Sequence, residues 1–176
     1  MNKKCIMIAC AFFVAVALQA KVSLPAFFSD GMVMQQQSQA SLWGNASKGK
    51  IVEVTTGWDG QTYTTRADEQ GKWKLTVQTP AAGGPYDITF DDGERTRIKD
   101  ILMGELWICS GQSNMEMPLR GFNNCPIAGA NEIIARAGSM RDRLRYVKIP
   151  LTAAYTPQDR VPGKWRPCTV ETAPDF

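Results

Sequence analysis

GELWICSGQSNMEMP, residues 104–118, is where the chain changes its grammar. ELWICS is a nearly continuous apolar run, the pattern of a strand buried on both faces, and it leads straight into Gly111 and a polar turn. A serine on a sharp turn at the carboxyl end of a buried parallel strand stands where open α/β sheets place their ligand chemistry. Gly111 lets the backbone bend tightly. A helical turn starting at Ser113 would aim the amide N–H groups of residues 113–115 into the crevice, where they can stabilise a developing oxyanion. Pro118 restricts any such helix to a short one or a late start. Read from the residues alone, a serine in such a turn is more often a cap or turn residue than a nucleophile.

Before this stretch, residues 22–102 read as short strands separated by turns, without a helical period. SLWG, KIVEVTTG, QTYTTRAD, GKWKLTVQTP, YDITFDDG and RTRIKDILMG each carry β-branched or aromatic residues and end near Gly, Pro, Asn or Asp. In WKLTVQ, Trp73, Leu75 and Val77 alternate with Lys74, Thr76 and Gln78, as in a strand with one wet face. DEQGKW and FDDGER read as hairpin turns in which glycine supplies a positive φ. The spacing predicts an antiparallel β-sandwich over residues 21–103. Its aromatics, Trp43, Trp58, Trp73 and Tyr86, read as core and turn-packing residues rather than a sugar-stacking platform.

After it, CPIAGANEIIARAG suggests a helix with Ile127, Ile133 and Ile134 as its apolar residues, and LRYVKIP a second buried strand over 144–149. Strand, helix, strand is the beginning of an α/β domain, residues 104–176. That length cannot supply a doubly wound sheet with helices on both faces, so the domain reads as incomplete. The fold class is therefore β-rich: an antiparallel β-sandwich followed by the truncated start of an α/β domain.

The first 20 residues, MNKKCIMIACAFFVAVALQA, have a positive start, an apolar stretch and small residues before a plausible cut after Ala20. This is the pattern of a secretory signal peptide, and it predicts an exported protein, periplasmic or extracellular. The apolar run is shorter than the roughly 20 residues a membrane span needs, so no span is expected once the leader is removed. Cys109, Cys125 and Cys168 then remain, too few for a disulfide scaffold; Cys109 reads as a small buried hydrophobe and a Cys125–Cys168 bridge is compatible with export. A net charge of +3 is too weak for a nucleic-acid footprint. No phosphate loop, metal-ligand cluster or heptad repeat is present, and no cofactor is implied.

GELWICSGQSNMEMPL resembles the nucleophile block of the sialate O-acetylesterases, a branch of the SGNH-type esterases. LPAFFSDGMVMQ, LWGNASKGKIVEVT, DEQGKWKLTVQTPAAGGPYDITF, RYVKIP and KWRPCTVETAPDF follow in the family's order, so that the likeness runs over residues 22–176. The resemblance implies a carbohydrate esterase with an SGNH-hydrolase domain, which hydrolyses O-acetyl esters on sialic acid or a related acetylated glycan. Ser113 would be the nucleophile, forming an acetyl-enzyme, with its own N–H as one oxyanion donor. Gln112 and Asn114 match the motif in a supporting, substrate-binding role; Glu116, three residues on, reads either as a carboxylate facing the same crevice or as a solvated one.

The family also implies a histidine and an aspartate from a D-x-x-H block, and this chain has no histidine. A serine hydroxyl unaided is a poor nucleophile; loss of the histidine from a protease triad costs roughly a millionfold in turnover. The expectation is thus the amino-terminal portion of an esterase, inactive alone, whose proton acceptor lies outside this sequence. Two other readings stay open: an esterase for other acetylated glycans, and a non-catalytic glycan-binding module.

Overall fold

The structure, a computed structural model, describes residues 21–158 and 160–176; the expected leader lies outside the described residues. Seven strands come first: β1 Val33–Gln35, β2 Gln39–Asn45, β3 Ile51–Thr56, β4 Thr62–Arg66, β5 Lys72–Gln78, β6 Gly83–Asp91 and β7 Arg95–Gly104. Five form a sheet in the order β1-β7-β6-β3-β4, and β2 pairs with β5 in a second sheet. Every pairing is antiparallel except β1 with β7, which is parallel, Val33 opposite Leu102. The β-rich sandwich read from the sequence is thus observed, with β1 and its parallel pairing added.

Period-2 patterning decides the two-sheet packing. Trp73 and Val77 of β5 are buried while Lys72, Lys74, Thr76 and Gln78 are exposed, and Leu42 of β2 joins the buried set. From the larger sheet, Val52, Val54, Ile88, Phe90, Ile98, Ile101 and Met103 meet them in one core. Trp73 is buried with its ring 5.9 Å from that of Phe90; Trp43 packs edge-on to Phe27 and Phe28, and Trp58 to Tyr86. The aromatics are packing residues, as their positions in the sequence suggested.

Both expected turns are present, but only FDDGER closes a hairpin, β6 with β7; DEQGKW carries the chain from β4 across to β5 in the other sheet. Asp68 accepts from the amides of Gln70 and Lys72 through its carboxylate, and Gly71 adopts φ +76° with room for no Cβ, since one would stand 2.6 Å from the Ala46 carbonyl oxygen. Ser38 and Thr79 close the β1–β2 turn: the buried Thr79 hydroxyl accepts from the Ser38 amide at 2.9 Å and lies 2.7 Å from the Gln35 carbonyl.

β7 carries one residue too many for its partner. Ile88 sits opposite Ile98 but Tyr86 opposite Ile101, so that two steps on β6 match three on β7. The extra residue is taken up around Asp100, at φ +58°, which lets Ile98 and Ile101 both point inward. It also turns Asp100 outward, where Arg145 donates to its carboxylate at 2.8 Å and to its carbonyl oxygen. Arg145 and Tyr146 form β8, which pairs with β9, Arg166–Pro167. Trp165 Nε1 donates to the Phe27 carbonyl at 2.7 Å and Arg160 to Asn45 Oδ1 at 2.7 Å. The carboxyl-terminal segment is therefore strapped to the sandwich at three points.

Residues 105–110 correct the sequence reading. They form no strand, Trp107 and Ile108 are 81% and 89% exposed, and Cys109 is exposed rather than buried. An apolar run becomes a doubly buried strand only where neighbours cover its edges and faces. Among the described residues none does, so beyond Leu106 its backbone stays with water. For the same reason the expected strand over 144–149 shrinks to β8, with Leu144 and Ile149 exposed. Among the described residues no disulfide forms: Cys125 is exposed, Cys168 buried, and the thiols of Cys109, Cys125 and Cys168 are free.

The expected helix is present as α2, Ala130–Ala137, preceded by Gly129 at φ +76°. Its buried residues are Ala130 and Ala137, not the isoleucines; Ala137 packs with Cys168, Ala173 and Leu119 in a small second cluster. No helix among the described residues is long and apolar enough to cross a membrane.

Candidate functional site

Ser113 opens a single helical turn, α1, Ser113–Glu116. Gln112 precedes it with φ −110° and ψ −145°, outside the helical region, and its carbonyl accepts from the amides of Met115 at 2.9 Å and Glu116 at 3.1 Å. The Ser113 carbonyl accepts from Met117 at 3.0 Å, and the buried Pro118 then stops the turn. A Cβ at Gly111 would stand 2.6 Å from Met115 Cγ, so glycine there permits the close approach of the Met115 side chain. Its φ is not in the left-handed region.

Gln112, Ser113, Asn114 and Glu116 are all exposed, and among the described residues no hydrogen bond reaches the Ser113 hydroxyl. The Met115 amide, a candidate donor from the sequence, is spent on Gln112. The Ser113 and Asn114 amides are the ones left without an intrahelical acceptor, as the first amides of any helix are. The turn thus offers a free hydroxyl and two free N–H donors within two consecutive residues. It lies open rather than walled: a groove of about 530 Å³ runs elsewhere, between Phe28, Ile98 and Lys164, and one of about 250 Å³ beside Arg145 and Trp165.

Two anchors hold this turn. After it, the amides of Leu119 and Arg120 donate to the carbonyls of Phe176 and Pro174, and Arg120 pairs with Asp175. Before it, β1 reaches across. Gln36 Nε2 donates to Glu105 Oε1 at 2.7 Å and Gln35 Nε2 to Glu105 Oε2 at 3.1 Å, while Gln35 Oε1 accepts from the Leu106 amide at 2.9 Å. The sequence reading passed over Gln35, Gln36 and Glu105. The signal for them was a carboxylate at the end of the last strand, opposite a run of glutamines whose pairing with it is not local.

The amide of Gln36, then that of Gln35, hold the Glu105 carboxyl below its ordinary value of 4.5, against a small opposing effect of desolvation. A lowered folded value means that the contribution of these bonds is complete above 4.5 and is lost as pH falls through the folded value. The Leu106 amide is therefore expected to exchange with a constant protection factor between about pH 5 and 8 and to lose it at more acid pH. A loss already complete near neutrality would contradict this assignment.

No family model matches the chain. It is 30% identical over 108 aligned positions to the sialate O-acetylesterase of Mus musculus and 32% identical over 108 to that of Homo sapiens. These alignments cover 56% and 55% of the chain, which spans about a fifth of the length of those relatives, 20% and 21%. Among solved structures, a carbohydrate acetylesterase from Xanthomonas citri superposes with a TM-score of 0.78 at 32% identity, covering 89% of this chain and 34% of that one. Over the aligned stretches the chain is thus similar to sialate O-acetylesterases and to a carbohydrate acetylesterase.

Proposed function

We propose that the chain is part of an exported serine esterase that removes O-acetyl groups from sialic acids. The observation that carries this reading is the Ser113 turn, an exposed hydroxyl with two unengaged amides, in the block that resembles the family's nucleophile motif. In the proposed reaction Ser113 Oγ attacks the acetyl carbonyl carbon, and the carbonyl oxygen takes the negative charge against the Ser113 N–H. Collapse expels the sugar hydroxyl and leaves an acetyl-serine ester, which water hydrolyses to acetate. Gln112, Asn114 and Glu116 border the sugar.

The proton of Ser113 needs an acceptor, and the sequence contains no histidine. The proposal therefore assigns that acceptor to polypeptide outside this sequence, and the division near residue 103 separates a sandwich that supports from a segment that reacts. The export of the protein is part of the same proposal and rests on the leader-like residues 1–20.

A second reading keeps the chemistry and widens the substrate to other acetylated glycans. It is favoured by the Xanthomonas carbohydrate acetylesterase, whose alignment takes in 89% of the chain where the mammalian sialate esterases take in 55–56%. The discriminating assay is acetate release from O-acetylated sialic acid and from acetylated xylan by the polypeptide of the whole gene. Release from the first is the expected result. Release from acetylated xylan alone selects the second reading, and release from neither overturns both.

A further inference from the structure

The backbone between the sandwich and Ser113 has one fixed point. The last main-chain rung is the Gln36 amide donating to the Gly104 carbonyl at 2.9 Å. Beyond it the Gln35 side chain takes over the role of a peptide unit: its Oε1 accepts from the Leu106 amide and its Nε2 donates to Glu105, so the ladder gains one more step after β1 has ended. Gln36 is tied at both ends, with Nε2 on the Glu105 carboxylate and Oε1 accepting from the Ala82 amide at 2.7 Å. From Trp107 to Gly111 no hydrogen bond is made among the described residues. The direction in which residues 107–113 leave the sheet is set at Glu105 and Leu106, and by the second anchor at Leu119.

We propose that Glu105 is a positioning residue: its carboxylate, gripped by Gln35 and Gln36, aims the segment that presents Ser113. The role rests on the reading of Ser113 as nucleophile. Glu105 is itself exposed, so removal of its carboxylate leaves the sandwich core untouched. What changes is where the serine stands, and a shift of about 1 Å in a reacting group costs on the order of a hundredfold in rate. A carboxylate suits the position because it accepts from both amides at once and both bonds are charge-assisted. An amide in its place would turn an N–H₂ toward one of the two donors.

The test uses Glu105→Gln, Glu105→Ala and the exchange variant that combines Gln36→Glu with Glu105→Gln. The exchange moves the carboxylate to position 36, just past β1, where it still accepts from the Ala82 amide and now accepts from position 105. Hydrogen exchange on the 176-residue chain is expected to speed up at Leu106 by about tenfold or more in Glu105→Ala, with Leu75 and Val77 unaltered. In the polypeptide of the whole gene, both single variants are expected to lower kcat by about ten- to a hundredfold with KM little changed, and the exchange variant to recover most of it. Wild-type exchange at Leu106 in Glu105→Ala, an unchanged kcat, or an exchange variant no better than Glu105→Gln alone overturns the proposal. Ser113→Ala, run alongside, separates the two claims: an active Ser113→Ala protein ends the nucleophile reading and the role with it, whereas an inactive one with an indifferent Glu105 ends the positioning role only.

Discussion

Ser113→Ala in the polypeptide of the whole gene is expected to lower kcat for acetyl-ester hydrolysis by about 10⁵ to 10⁶-fold, to the residual rate that binding and oxyanion donors sustain. Covalent catalysis has no partial form: without Oγ there is no acetyl-enzyme, and water must attack directly. The variant should fold as the wild type does. The Ser113 side chain is exposed and unbonded, and surface changes of that kind stay within about 0.5 kcal/mol. Thermal melts of the two proteins should therefore superimpose while their rates diverge. Turnover within tenfold of wild type would end the esterase mechanism proposed for this serine.

The largest effect on stability is expected at Phe90. It is 0% exposed, sits one residue from the end of β6 opposite Val54 of β3 and packs against Trp73 from the other sheet. Phe90→Ala removes the ring from the meeting point of both layers and leaves a hole that β-sheet backbone, fixed by its ladders, closes poorly. The cost is about 3–5 kcal/mol, set against a total of about 5–15 kcal/mol for a domain. Urea unfolding should show a midpoint lowered in that proportion, with Phe90→Leu falling between. A loss below about 1 kcal/mol would mean that the two sheets do not share the core described for them.

The sandwich was legible because each strand from β2 to β7 carries its own evidence: alternation in β5, β-branched runs in β3 and β4, glycine turns at 71 and 93. β1 carries none. MVMQ is short and rich in methionine, and its place beside β7 comes from a contact distant in sequence. The Asp100 bulge is hidden for the same reason, since a register shift belongs to a pair of strands. Residues 105–110 show the converse error. Their apolarity states only that they are fit to be covered, while the cover itself is a property of the neighbours. Of the serine site, the turn and its Gly111 were readable locally, and the Glu105 grip was not, because Gln35 and Gln36 lie at the end of β1 and just past it, while their target follows β7.

That parallel pairing of β1 with β7 has a consequence for synthesis. The earliest strand of the sandwich waits for the latest, since Val33 has no ladder partner until Leu102 exists. Closing so long a loop is entropically slow, and contact order of this kind places folding in the millisecond-to-second range rather than among the fast local folders. The domain is therefore assembled late: β3 can pair with β4 and then β6, and β2 with β5, as the chain emerges, but the seam is sewn only once residue 104 is out, the same moment at which the serine-bearing segment begins to appear.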